Sequence, residues 1–302
     1  MKNKLFYHIL SSERRIIEFL RKSGVVATHA NCDLCGKPMK TDWTRGEFRC
    51  RQTRYVENRN RKRVRKQCDT TVSVYNGSWF SGKKVKIQKL FELIFLYCQN
   101  QNCTQEYLGY QTGMSDNTIS YWCRRIRETI SMEYGSNSPM LGGEFLHVEV
   151  DEAKLGGRKL PGGREVKGQW VAACIERDSG RFFIIPVPNR SADTLIPFIK
   201  KYVKPDTVIV SDCWTGYKGL LREGYPHLRV NHKFCHVNPK NGAHTQKVER
   251  LWRSLRDYLP DNGVKKTTLE GELSRFKFLK LNSRQHRFET FLKIIQFNNN
   301  SA

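Results

Sequence analysis

The sequence predicts a multidomain α/β protein: an N-terminal zinc ribbon, a helix-turn-helix, and then a mixed-sheet domain with a helical C-terminal tail. Three observations predict it. Cys32 and Cys35 form a C-x-x-C pair, and Cys50 and Cys68 follow. Between Val85 and Met132 apolar residues recur at helical spacing. Near residue 144 that spacing gives way to extended runs, after which strand and helix alternate, the pattern of a sheet covered by helices. A chain of 302 residues holds two or three compact units. The expected division is 1–82, 83–140 and 141–302.

Charge narrows the partner. The 53 Lys+Arg against 29 Asp+Glu leave a net +24, an excess that calls for a polyanion. Nucleic acid is expected and a membrane is not, because no window of about 18 apolar residues exists. The start, MKNKLFYHILSSERR, reaches charge too soon for a secretory signal. The expectation is an intracellular protein whose cysteines are thiols or metal ligands.

Residues 12–22 read as a short amphipathic helix. Cys32 and Cys35 can turn both sulfurs toward one ion, and Zn²⁺ takes four such ligands in a tetrahedron. One structural zinc on Cys32, Cys35, Cys50 and Cys68 is the expectation, although 17 residues separate the last two. Unligated thiols and a redox pair are the alternatives. The stretch between Cys50 and Cys68 carries Arg51, Arg54, Arg59, Arg61, Lys62, Arg63, Arg65 and Lys66, a basic loop suited to phosphates. A solvated charge run is the bland reading, and the stretch also suits a nuclear-localisation signal.

A helix over 85–98 precedes a helix, turn, helix from Thr104 to Met132, with Gly113 in the turn and Ser115 as N-cap. In a helix-turn-helix the second helix offers Asp116, Asn117, Thr118, Ser120 and Tyr121 to base edges, with Arg124, Arg125 and Arg127 along the backbone. An ordinary helical linker is the alternative. Trp122 and Ile126 are expected in the core.

FLHVEVD, QWVAACIER, RFFIIPV and TVIVSD read as strands; SADTLIPFIKKYV, TGYKGLLREG and the stretch HTQKVERLWRSLRDYL read as helices. Asp151 ends the first strand and Asp212 the fourth, while Glu249 sits on the last helix beside the apolar stripe Val248, Leu251, Trp252 and Leu255. Three acids in that order suit two Mg²⁺ (or Mn²⁺) ions engaged in phosphoryl displacement. Singly, each has an ordinary reading as a turn, cap or solvated residue. Glu149 and Glu152 flank Asp151 and are expected on the opposite side of the strand.

With these residues the chain resembles, over nearly its whole length, the Merlin superfamily of cut-and-paste transposases and the related bacterial insertion-sequence transposases with an ISXO2-like DDE domain. The resemblance rests on CDLCG with the later cysteines and basic run, YNGSWFSGKKV, the helix-turn-helix stretch, VDEAKLGGRK, RSADTLIPFIKKYV, VSDCWTGYKGL and VNPKNGAHTQKVERLWRSLR. It implies a ribonuclease H-like catalytic domain with Asp151, Asp212 and Glu249 as its metal-binding set. It also implies recognition of terminal inverted repeats, excision and integration. Two features depart from the family pattern. His-Thr-Asn before the final acid is His244, Thr245, Gln246 here, and the cysteine spacing is looser. His244 is read either as assisting at the scissile phosphate or as a structural hydrogen-bonding residue.

The expected partners are double-stranded DNA, both transposon ends and target, and a second copy in a dimer or larger synaptic complex. Lys154, Arg158, Lys159, Arg164 and Lys167 are expected along the DNA backbone near the acids, as is Gln246. The expected location is the nucleus in a eukaryotic host, or the cytoplasm and nucleoid in a bacterial one. The rival readings are a domesticated DNA-binding protein and a structure-selective nuclease without strand transfer.

Overall fold

The computed structural model describes residues 1, 3–57, 62–101, 103–135, 138–159, 165–166, 168–231, 234, 236–239, 241–260 and 263–300. The side chains of 158–159, 165–166 and 297–300 are outside that description. In chain order the first half contains α1 (Asn3–Leu10), α2 (Glu13–Lys22), β1 (Lys40–Asp42), β2 (Glu47–Cys50), β3 (Thr53–Glu57), β4 (Arg63–Gln67), β5 (Thr70–Ser73), α3 (Ile87–Gln99), α4 (Gln105–Thr112) and α5 (Asp116–Tyr134). The second half contains β6 (His147–Leu155), β7 (Arg158–Lys159), β8 (Glu165–Val166), β9 (Gln169–Glu176), β10 (Phe182–Val187), α6 (Ala192–Tyr202), β11 (Val208–Ser211), β12 (His227–Arg229), α7 (Gln246–Tyr258), α8 (Lys266–Leu281) and α9 (Arg287–Asn300).

These elements form two compact units. One comprises Met1–Cys123 and Asn282–Ala302, the other Arg124–Leu281. The geometric division therefore differs from the expected one, because α9 joins the N-terminal residues. The cause is aromatic burial. Phe288 of α9 is fully buried, with ring centroids 5.0 Å from Phe91, 5.5 Å from Phe95 and 5.9 Å from Phe6. Phe6 lies on α1, a helix that the sequence reading had passed over.

Within the same unit, Thr104 caps α4 by accepting a hydrogen bond from the Tyr107 amide (3.1 Å). Gly113 ends the helix at φ 58°, a left-handed conformation that glycine adopts without strain. Met114 and Ser115 complete the turn into α5.

The second unit is built on a five-stranded sheet of order β10-β9-β6-β11-β12. The three strands β10, β9 and β6 are antiparallel neighbours; β6, β11 and β12 run parallel. Val148, Val150, Ala172, Cys174 and Phe183 point from the sheet into a core shared with Leu195, Phe198 and Ile199 of α6. On the other face α7 lies along β6 and β9. TGYKGLLREG, expected as a helix, forms two 3₁₀ turns, Thr215–Tyr217 and Leu220–Glu223. Gly216, Gly219 and Gly224 disfavour a continuous α-helix there.

Truncating the aromatic centre of the first unit tests this description. Phe288→Ala removes a fully buried ring and is expected to cost about 3–5 kcal/mol. The check is hydrogen exchange of the α3 amides, which accelerates correspondingly; unchanged protection contradicts the packing described.

Candidate metal centre and acidic site

The cysteine site begins with a turn. Gly36 N–H (2.7 Å) and Cys35 N–H (3.3 Å) both donate to the Cys32 carbonyl, and Gly36 has φ 69°, so the chain folds back within four residues. Cys50 ends β2. The 17 intervening residues then leave and return as a hairpin, β3 pairing β4 from Thr53↔Gln67 to Glu57↔Arg63. Cys68 N–H closes it by donating to the Gln52 carbonyl (2.8 Å). The loose spacing is thus a hairpin inserted between two neighbouring ligands.

The sulfur atoms of Cys32, Cys35, Cys50 and Cys68 all lie within 4.8 Å of one another, a set that can hold a metal ion. Crowding four thiols in one place sets their pKa values far apart. Burial pushes the Cys68 thiol up to about 12, with Cys35, Cys50 and Cys32 adding to the rise. Burial also raises Cys32, but hydrogen bonds from the Leu34 and Cys35 backbone outweigh it and bring it to about 6. A thiolate-binding dication relieves that competition, so the donor set fits zinc.

The basic stretch is therefore a ribbon of two strands rather than an irregular loop. Across it Arg54 faces Lys66, and Tyr55 faces Arg65. All of Arg63–Gln67 is exposed, as is Tyr55. Arg51 and Lys62 are exposed at its two ends. Arg59 and Arg61 lie outside the described residues.

On α5, Asn117, Ser120, Tyr121 and Arg124 are exposed, and Thr118 and Arg125 half-buried. Ser120 accepts a hydrogen bond from Gln105, and Arg124 lies 3.8 Å from Glu128. Arg127 is held at 3.2 Å by Glu272, so its guanidinium is engaged within the fold.

The acids follow from the sheet. The β6–β11 register, Val210↔Glu149, continued by two residues sets Asp212 level with Asp151. Asp212 follows the end of β11, but Asp151 stands in the middle of β6, which stays paired with β9 as far as Leu155, so the expectation that Asp151 ends its strand is corrected. Asp212 accepts a hydrogen bond from the Trp214 amide (2.9 Å), a turn that starts immediately after β11. Asp151 accepts one from Trp252 Nε1 of α7 (2.8 Å). Burial pushes Asp151 up to about 7; the Trp252 bond opposes this, and Glu152 and Asp212 add to it.

Glu152 faces the other way, accepting from the Tyr217 hydroxyl (2.5 Å), and its carboxyl is raised by burial and by Asp212. Glu149 does not. Two residues from Asp151, it shares that residue's side of the strand, which corrects the expectation that both neighbours turn away. There it is fully buried and accepts bonds from the Lys247 amide (2.8 Å), the Val248 amide (3.0 Å) and Arg177 Nε (2.9 Å). It anchors the N-terminus of α7.

Glu249 is exposed on the first turn of α7 and accepts from Thr245 Oγ1 (3.0 Å). It precedes Trp252 by three residues and so shares the flank of the helix that meets Asp151. Among the described residues the four cysteines are the group of three or more potential ligands gathered within 4.8 Å. The three acids are set more widely. The half-buried carboxyls of Asp151 and Asp212 nonetheless offer the oxygen donors that a hard cation takes.

His244 Nδ1 stands 3.4 Å from Glu149 Oε1 without a hydrogen bond, while its carbonyl accepts from Arg177 Nη2 (2.5 Å). Burial and then Arg177 lower its pKa. Gln246 Oε1 accepts a bond from Arg250 (3.4 Å), and Lys154 is exposed with its ammonium 5.9 Å from the Trp170 ring centre. Arg164 and Lys167 lie outside the described residues, as do the side chains of Arg158 and Lys159. Sequence reasoning passed over Glu149 and Arg177 as an anchor, although the i, i+2 parity was there to read.

The stretch that contains all three acids has a counterpart among known families. Residues 140–261 match the ISXO2-like transposase domain. Over 91 residues the chain is 28% identical to an uncharacterized transposase-like protein of Haemophilus influenzae, covering 30% of this chain and 72% of that one. A cryo-EM structure of the simian T-cell lymphotropic virus intasome in complex with PP2A regulatory subunit B56 gamma overlaps 62% of this chain and 70% of that chain. The identity is 15% and the TM-score 0.31.

Two outcomes follow. Purified protein is expected to carry one zinc per chain by elemental analysis, and Cys68→Ser to fall well below that; equal zinc in both contradicts the four-sulfur site. Asp151 supplies a pH test. Its folded-state pKa of about 7 exceeds the unfolded value, so without a cation its ionisation destabilises the fold increasingly as pH rises through about 7 and not below the unfolded pKa. Asp151→Asn should therefore raise the melting temperature of cation-free protein at pH 8 more than at pH 5, by differential scanning calorimetry.

Proposed function

We propose that the chain is a DDE-type DNA transposase of the cut-and-paste kind, with a ribonuclease H-like catalytic unit. The observation that carries this reading is the coincidence of the matched segment with the acid geometry: Asp151 on β6 level with Asp212 just past the end of the parallel neighbour β11, with Glu249 on the helix that packs beside them. The sheet order, three antiparallel strands continued by two parallel ones, also supports it.

In this reading Asp151, Asp212 and Glu249 hold Mg²⁺ or Mn²⁺, two ions per site. A bound divalent cation supplies Lewis acidity to the phosphoryl group and lowers the pKa of the attacking water. Trp252 holds the Asp151 carboxylate through one oxygen, and the Trp214 amide holds that of Asp212 through one oxygen. The Glu149–Arg177 pair keeps Glu249 in register. The same locus serves hydrolysis at a transposon end and then attack of the released 3′-hydroxyl on target DNA. Each attack breaks one phosphodiester bond, and the second forms another.

The N-terminal unit supplies the address. A two-stranded ribbon fits the major groove of B-DNA, and Arg51, Lys62, Arg65 and Lys66 on the exposed ribbon neutralise phosphates. Asn117, Ser120 and Tyr121 read bases if α4 and α5 act as a helix-turn-helix. Two ends must be held together, so the working species is a dimer or larger synaptic complex.

The test uses duplexes carrying the sequence that flanks the protein's own coding region, pre-cut to expose a 3′-hydroxyl, with supercoiled plasmid and Mg²⁺. Wild type joins them. Asp151→Ala and Asp212→Ala bind the same duplexes in a mobility-shift assay but neither nick nor join. Joining that survives in both variants would sink the assignment, and nicking without joining would favour a nuclease.

A further inference from the structure

Beside the acids lies an arginine with an unusual mounting. Arg190 sits in the turn between β10 and α6, exposed, with its guanidinium carbon 3.7 Å from the ring centre of Trp214 and 5.1 Å from that of Trp170. Its backbone is tied as well, since Trp214 Nε1 donates to the Arg190 carbonyl (2.8 Å). The contact leaves no room nearby: a Cβ on Gly216 would stand 2.9 Å from Trp214 Nε1 and 3.0 Å from the Arg190 carbonyl oxygen.

Both tryptophans connect this mounting to the acidic site. Trp214 follows Asp212 by two residues and gives it its amide hydrogen bond. Trp170 pairs with Lys154 across the β6–β9 ladder, two residues beyond Glu152. The charge of Arg190 also lowers the Glu152 carboxyl, which Asp212 raises.

A surface arginine is usually placed by a carboxylate, which consumes the edge donors of the guanidinium. Arg190 is placed against two indole rings instead. Among the described residues, no carboxylate comes within ion-pair distance of it and no side-chain hydrogen bond uses its donors. Cation–π contact with the indoles holds the guanidinium without engaging its forked N–H groups, which stay available. That edge matches two oxygens of a phosphate.

We propose that Arg190 is a phosphate fork: held edge-on by Trp170 and Trp214, it binds a backbone phosphate of the DNA strand that enters the site of Asp151 and Asp212. The assignment of the ligand to DNA rests on the transposase reading; the fork itself rests on the geometry.

The experiment uses full-length protein labelled with fluorotryptophan, with Ca²⁺ in place of Mg²⁺. Fluorine resonances are assigned through Trp170→Phe and Trp214→Phe. On titration with a short mixed-sequence duplex, followed to saturation by anisotropy, the Trp170 and Trp214 resonances should shift. The DNA-induced shift should vanish in Arg190→Gln and remain small in Arg190→Lys, which keeps the charge without the fork. Gly216→Ala, which retains the arginine but displaces its mount, should behave like Arg190→Gln while staying folded by circular dichroism. Resonances that stay still at saturation, or that move equally in Arg190→Gln, overturn the proposal. A shift with inorganic phosphate alone overturns its assignment to DNA.

In the joining assay Arg190→Gln is expected to lose activity about 100-fold, the scale for removing one preorganised donor at a reacting phosphate. Absence of joining by wild type overturns the transposase reading and leaves the fork to the resonance test. Undiminished joining by Arg190→Gln overturns the fork alone.

Discussion

The arrangement around Asp151 depends on a carboxylate that takes no part in the chemistry. Glu149 lies on the central strand with no solvent contact, and burying an ion that way is costly unless every lone pair finds a donor. The donors are two free amides at the start of α7 and the guanidinium of Arg177. Those amides are unsatisfied within their own helix and carry its positive dipole end, so the anion and the helix terminus satisfy each other. Because two consecutive N–H groups converge on one oxygen, α7 cannot slide or rotate along the sheet without losing both. Trp252 then meets Asp151, and Glu249 emerges one turn away. Arg177 extends the same anchor to the carbonyl of His244, fixing the approach to the helix.

The cysteine site solves a different problem. Its three-stranded sheet, β1-β2-β5, is small, and a sheet of that size gains little from apolar burial alone. A metal ion on the four sulfurs would supply the missing cohesion while letting a highly charged hairpin project from the sheet. The charges of Arg63, Arg65 and Lys66 need not fold against anything. They stay solvated, and their mutual repulsion is relieved when a polyanion binds.

Local pattern made much of this legible. Helical spacing located α2, α3, α5, α6 and α7, and the extended runs located four strands of the five-stranded sheet, leaving the three-residue edge strand β12 unread. The C-x-x-C-G turn was readable because it is local. What escaped was non-local. Nothing between Cys50 and Cys68 announces that Thr53 pairs with Gln67, so a hairpin insertion looked like poor spacing. Parity alone puts Glu149 on the face of Asp151, yet its role needs the helix that arrives 98 residues later. Trp170, Arg190 and Trp214 belong to three elements, and no periodicity links them. The membership of α9 in the first unit was equally hidden, since only aromatic packing decides it.

The charge distribution ties these parts together. The chain carries +24 overall, yet at its acidic site burial first, and then the charges of Glu152 and Asp212, push the Asp151 pKa to about 7. A phosphodiester drawn in by the surrounding positive field therefore meets like charge at the last step. A partly protonated Asp151 lowers that repulsion only slightly, and protonation removes a donor that a cation needs. In the proposed reading Asp151 and Asp212 would hold a divalent cation, whose charge would offset both difficulties, while Arg190 offers its edge from the flank. On this reading DNA and the divalent ion each raise the affinity of the site for the other, and the carboxylates stay mutually strained in the absence of both.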